Sequence, residues 1–174
     1  MKKSLFILLL MNALLGGAMP VQNGVFHVGQ DGLKKVTSLD GKWNFYWNKT
    51  FKDYQQHKDS LHAEFINVPG EWGWLNYPEF GYGLYTMKVI GIDPTAKLGL
   101  KISPICNAFN LYINGKLLAT GGLFGTTQQN SVADYNPTMI SFLPDADTLE
   151  IAFEVSNFYY REGGLSYSIE LAEV

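Results

Sequence analysis

Ala108-Phe109-Asn110-Leu111-Tyr112-Ile113-Asn114-Gly115-Lys116 carries both a strand pattern and a turn. Phe109, Leu111 and Ile113 alternate with Ala108, Asn110 and Tyr112. A period of two places one set of side chains on a core and the other toward solvent, as in a half-buried strand. Asn114-Gly115 follows at once. Both residues tolerate the positive φ of a type I′ turn, so the spacing predicts a hairpin that folds back into an antiparallel neighbour.

Working outward, the same period recurs. Upstream, Trp43, Phe45 and Trp47 alternate with Lys42, Asn44 and Tyr46, and Tyr85, Met87 and Val89 with Leu84, Thr86 and Lys88. Leu98, Leu100 and Ile102 form a third set. Downstream, Leu149, Ile151, Phe153 and Val155 alternate with Glu150, Ala152 and Glu154, and Tyr167, Ile169 and Leu171 close the series. Val68-Pro69-Gly70, Asp93-Pro94 and Pro144-Asp145 punctuate the runs with turn chemistry. Only Phe51 to Leu61 reads as helix. Many short strands without helix–strand alternation indicate an all-β chain, an antiparallel β-sandwich or jelly roll with at most one short helix. Trp43 and Trp47 are expected in its core.

The N-terminus predicts the compartment. Lys2 and Lys3 precede an apolar run from Leu5 to Leu15, and Gly16, Gly17 and Ala18 supply the small residues of a cleavage site. A run of about 11 residues is too short for a bilayer that needs roughly 20. Residues 1–18 are therefore read as a signal peptide, 19–35 as an N-terminal extension or edge strand, and 36–174 as the sandwich. The product is expected in the periplasm or outside the cell, without a membrane span after cleavage. A chain that is 47% hydrophobic and 17% charged builds one core without staples. Cys106 is the only cysteine, expected to be a small buried residue. A net charge of −3 argues against a nucleic-acid partner.

Several motifs resemble the galactose-binding-like jelly roll. Leu39-Asp40-Gly41-Lys42-Trp43-Asn44-Phe45, Val68-Pro69-Gly70-Glu71-Trp72, Leu84-Tyr85-Thr86 and Leu111-Tyr112-Ile113-Asn114-Gly115-Lys116 are similar to successive strands of the sugar-binding domain of glycoside hydrolase family 2. A nearer resemblance is to the extracellular sensor domain of seven-transmembrane-helix bacterial receptors with diverse intracellular signalling modules. It rests on Val155-Ser156-Asn157-Phe158-Tyr159-Tyr160-Arg161-Glu162-Gly163-Gly164-Leu165, similar to that family's S-N-F-x-x-R-x-G-G signature. These resemblances imply a galactose-binding-like sandwich that binds a ligand and leaves signalling or hydrolysis to other domains. Those receptors continue into membrane helices, whereas this sequence stops at Val174, which leaves a free-standing version and a fragment of a longer protein both open.

The residues offer no catalytic constellation. His57 and His62 are five apart, off a common helical face, and no H-E-x-x-H, C-x-x-C or G-x-S-x-G occurs. Glu71 and Glu79 flank the aromatic loop, but nothing selects them as the paired carboxylates of glycoside hydrolysis. No enzyme activity, cofactor or metal is expected. Asp134 and Asn136 are the only local oxygen pair for calcium, too sparse for a site.

Binding fits better. Two irregular segments, Gly70–Gly83 and Gly121–Pro137, break the alternation, and long irregular loops carry function. Trp72, Trp74, Tyr77, Phe80 and Tyr82 offer faces on which sugars stack; Asn157, Tyr159, Arg161 and Glu162 offer polar groups for hydroxyls or a carboxylate. Against this, Trp72 also reads as a plug at the sandwich end, Asn157 as a loop-backbone partner, and Arg161 as one half of a salt bridge to Glu162 or Glu71. The expected ligand is a carbohydrate or a small carboxylate. The alternative is an accessory sandwich docking on a cell-envelope protein, or a detached sugar-binding domain of a hydrolase.

Overall fold

The computed structural model describes residues 20–174. The signal-peptide reading of residues 1–18 lies outside them. The strands are β1 (Val25–His27), β2 (Thr37–Ser38), β3 (Gly41–Trp47), β4 (Glu64–Val68), β5 (Gly81–Ile90), β6 (Leu98–Ile102), β7 (Ala108–Ile113), β8 (Lys116–Gly121), β9 (Thr138–Phe142), β10 (Thr148–Asn157) and β11 (Ile169–Glu173). Among the described residues one α-helix, α1 (Phe51–His57), joins β3 to β4. The larger sheet runs β4-β3-β5-β10-β7-β8, with β1 added against β5, and the smaller runs β2-β11-β6-β9. This is the antiparallel β-sandwich that the alternation predicts, apart from β1, which pairs with β5 in parallel.

The hairpin at Asn114-Gly115 forms as read. Ile113 faces Lys116, and the two turn residues take φ of 47° and 81°. The core between the sheets is filled by the predicted faces: Trp43 and Phe45 of β3, Tyr85, Met87 and Val89 of β5, Leu98, Leu100 and Ile102 of β6, Phe109, Leu111 and Ile113 of β7, and the Leu149–Val155 face of β10. Trp43 donates from Nε1 to the Leu39 carbonyl at 2.8 Å, so the indole is buried with its polar atom satisfied.

The structure departs from these expectations in four places. Leu84 and Ala152, on the outer face of the larger sheet, are buried because α1 lies across them with Phe51 and Tyr54. Trp47 is half-buried, since it sits at the end of β3 where the loops begin. Tyr167 is exposed and precedes β11, which starts at Ile169. Cys106 is half-buried in a left-handed turn with φ of 56°.

The helix ends at His57, short of the predicted Leu61, but its start is well specified. Thr50 and Asp53 form a capping box: the Thr50 hydroxyl accepts from Asp53 N at 3.1 Å and Asp53 Oδ2 accepts from Thr50 N at 2.9 Å. Glu154, 5% exposed, then holds the helix to the sheet. Its Oε1 accepts from Phe51 N at 2.6 Å, and its Oε2 from Asn110 Nδ2 and Tyr112 Oη at 2.9 and 2.8 Å.

Candidate ligand-binding surface at the loop end

One end of the sandwich collects the irregular segments. β5 begins at Gly81 opposite the last residue of β10, Asn157, and Ala108 at the start of β7 faces Ser156. The segments before β5, after β8 and after β10 therefore converge there. Side chains and backbone knit them together. Trp72 N donates to Gly163 O at 2.9 Å and Gly70 N to Leu165 O at 2.8 Å. Asn157 Nδ2 donates to Glu79 O and Tyr160 O at 2.8 and 2.6 Å, and its Oδ1 accepts from Tyr160 N at 2.9 Å. The Tyr159 hydroxyl donates toward Gln128 O and Ser131 O at 2.9 and 3.1 Å, while Ser131 and Ser156 share a buried hydroxyl pair at 3.1 Å.

Trp72 is 0% exposed, and its Nε1 donates to the Tyr85 hydroxyl at 2.7 Å. Burial pushes the Tyr85 phenol above its ordinary range. A Cβ on Gly163 would lie 2.2 Å from the Trp72 ring, so only glycine fits beside this plug. Trp72 thus seals the core and has no face to offer a ligand. Asn157 is likewise buried, its amide spent on loop backbone, as the plainer reading of both residues had it.

The other candidates are placed variously. Tyr77 is half-buried, stacked on Trp47 with ring centroids 4.8 Å apart, and hydrogen-bonded through its hydroxyl to Glu64. That carboxylate holds the Tyr77 pKa up at about 12. Tyr82 is half-buried, edge-on to Phe124 at 6.2 Å. Trp74 is 62% exposed, Phe80 57% and Tyr159 52%. Arg161 pairs with Glu162 at 2.7 Å, with its side chain 81% exposed, so the pair is a surface one. Such a pair is weak enough in water to be exchanged for a ligand group.

The loop end thus presents Trp74, Phe80, Tyr82, Tyr159 and the Arg161–Glu162 pair, on a frame made by Trp72, Asn157 and Ser156. Phe124 and Tyr160 also belong to it; both lie in segments singled out as irregular or signature-bearing, Phe124 packing on the distant Tyr82 and Tyr160 held by nearby Asn157. The long loop is itself ordered. Leu123 and Val132 bridge through two backbone bonds of 2.8 and 2.9 Å, and Thr127 and Asn130 cap a 3-10 turn at Gln128–Asn130. Asp134 Oδ1 accepts from Tyr135 N, Asn136 N and Asn136 Nδ2, so that oxygen orders its own turn. Among the described residues no group of three or more His, Cys, Asp or Glu converges to hold a metal. No helix among them is long and apolar enough to cross a membrane.

No protein-family profile matches the chain, and no curated protein matches it. Solved structures do match in fold. A glycoside hydrolase family 2 β-galacturonidase from Eisenbergiella tayi, bound to galacturonate, aligns over 82% of this chain with a TM-score of 0.54 and 16% identity. A β-glucuronidase from Ruminococcus gnavus aligns over 91% with a TM-score of 0.60 and 14% identity. This chain spans only 25% and 31% of those two enzymes. The fold is therefore a β-sandwich shared with one part of these larger glycosidases.

Proposed function

We propose that the protein is an exported, non-catalytic ligand-binding domain that takes carbohydrates or small carboxylates on its loop end, in the manner of a receptor sensor domain. The observation that carries this reading is that Trp74 and Arg161 are both exposed, on two loops tied through Trp72 and Gly163. An aromatic face and a guanidinium on a rigid frame suit a sugar ring with a carboxylate or vicinal hydroxyls. The galacturonate bound by the solved β-galacturonidase makes a uronic acid the natural first ligand to try. The signature from Ser156 to Leu165 supports the sensor role, and Lys2 to Ala18 supports periplasmic or extracellular placement.

A thermal-shift screen of the chain from Met19 onward, against uronates, neutral sugars and oligosaccharides, tests it. A ligand of the native state at a hundredfold excess over its dissociation constant adds about 2.7 kcal/mol. A shift that shrinks in Trp74→Ala and Arg161→Ala is the expected result. The second reading, docking on a cell-envelope protein, is favoured by the exposed apolar side chains of Leu123, Val132 and Tyr135 beside the same surface. Absence of any shift, with Trp74→Ala abolishing recovery of an envelope protein in pull-downs, would select docking instead.

A further inference from the structure

We propose that the outer face of the larger sheet carries a second ligand site, separate from the loop end, for a small hydroxylated carboxylate of hexuronic-acid size. The site is a cavity of about 230 Å³ between α1 and the segment leading into β1. That is below the roughly 300–1,000 Å³ of drug-sized sites, so it admits only a small molecule.

Register builds the floor. Asn44 of β3 faces Thr86 of β5, and Lys88 of β5 faces Glu150 of β10, so four polar side chains stand side by side on one face. Tyr54 of α1 makes one wall and Gly24 the other. A Cβ on Gly24 would lie 2.3 Å from the Asn44 amide, so glycine at φ 74° lets this wall close up.

Charge then selects the ligand. Glu150 is already matched: its Oε1 accepts from the Tyr54 hydroxyl at 2.8 Å and from Lys58 Nζ at 3.2 Å. Lys88 is exposed and, among the described residues, makes no ion pair. Lys58, outside the lining, offsets Glu150, which leaves the Lys88 ammonium as the charge not offset in the lining. Asn44 reaches Thr86 only at 3.4 Å, a long contact that a ligand hydroxyl replaces without loss. An unmatched ammonium, an amide and a hydroxyl around a small hollow hold a carboxylate at one end and hydroxyls at the other.

Isothermal titration of D-glucuronate, with D-glucose as the uncharged control, into the wild-type chain and four variants tests the assignment. Saturable glucuronate binding is expected in the wild type, stronger than glucose binding, and a saturable component of it persists in Trp74→Ala. Lys88→Met weakens it about tenfold or more through loss of the charge pair, whereas Lys88→Arg retains it. Asn44→Leu, which fills the hollow, abolishes it; unchanged thermal melting of Lys88→Met shows that the fold is not the cause. No saturable binding by the wild type, or binding indifferent to both Lys88→Met and Asn44→Leu, overturns the proposal. Loss in Trp74→Ala with retention in Lys88→Met assigns the uronate to the loop end and also overturns it.

Discussion

Trp72 and Trp74 lie two residues apart and do opposite work. Trp72 is sealed against Tyr85 and Gly163, while most of the Trp74 surface is open, its ring edge resting on Gly70. Trp72→Ala is expected to cost about 3–5 kcal/mol, the range for emptying a buried aromatic site. Trp74→Ala is expected to stay within about 0.5 kcal/mol of the wild type, as exposed substitutions do. Equilibrium urea unfolding of the two variants checks both; equal destabilisation would mean that Trp74 also packs as core. The sequence offers the plug reading for Trp72 beside the stacking one and does not decide between them. In a strand, position alone assigns a face, as it did for Trp43 and Phe45. The Gly70–Gly83 loop has no period, and burial there is set by which backbone crosses it, here Gly163–Leu165 from the far end of the chain. Arg161 shows the same limit: its neighbour Glu162 was named as a partner, and the exposure that makes the pair weak comes only from the fold.

At the scale of elements, α1 is too short to be stable alone and depends on its contacts with the sheet. Glu154 is the main polar tie, accepting three bonds while buried. Glu154→Ala strands the Phe51 N–H, the Asn110 amide and the Tyr112 hydroxyl, at a cost on the order of 3 kcal/mol. Loss of the helix contribution in far-UV circular dichroism, or a lowered unfolding midpoint, is the readout; a midpoint unchanged from wild type would show that apolar packing of Phe51 and Tyr54 suffices. Acid acts on the same element. Thr50, through its backbone N–H and then its hydroxyl, holds the Asp53 carboxyl below its ordinary 3.8. Burial pushes Glu150 up, but the bond from Tyr54 and the Lys58 ammonium outweigh it and leave Glu150 below 4.5. With both folded values depressed, the unfolded chain binds more protons as the medium acidifies. Stability is therefore full above about pH 5 and falls on the way down toward pH 3. Melting temperatures across that range should drop, and the drop should shrink in Asp53→Asn. A flat profile would mean that neither carboxylate contributes in the folded state. The capping box spans Thr50 to Asp53 and is local, so it was open to reading. The anchor at Glu154 was not, because its position in the alternation marks it as outward-facing and only α1 buries it.

For the whole molecule, the alternation announced the sandwich and the Asn114-Gly115 turn announced one hairpin, but strand order came from neither. Nothing local states that β10 lies between β5 and β7, or that β1 joins β5 in parallel; those pairings answer to burial summed over the whole core. Val21 is buried, its N–H bonded to Asp40 O and its carbonyl accepting from Lys42 N, both at 2.8 Å. A Cβ on Gly41 would lie 2.3 Å from Val21 O, so the strap and the start of β3 are fitted to each other. Cleavage after Ala18, the site marked by Gly16-Gly17-Ala18, leaves this strap whole. Cleavage a few residues later would remove it, expose the Gly41 edge and forfeit the burial of Val21, about 1.5–3 kcal/mol. The prediction is a mature protein starting at Met19, recovered from the periplasm or medium and identified by intact mass, and a shortened chain starting at Asn23 that melts lower. Recovery from the membrane fraction with Leu5–Leu15 still attached would make the apolar run an anchor, and the domain would then face its ligand while tethered rather than free.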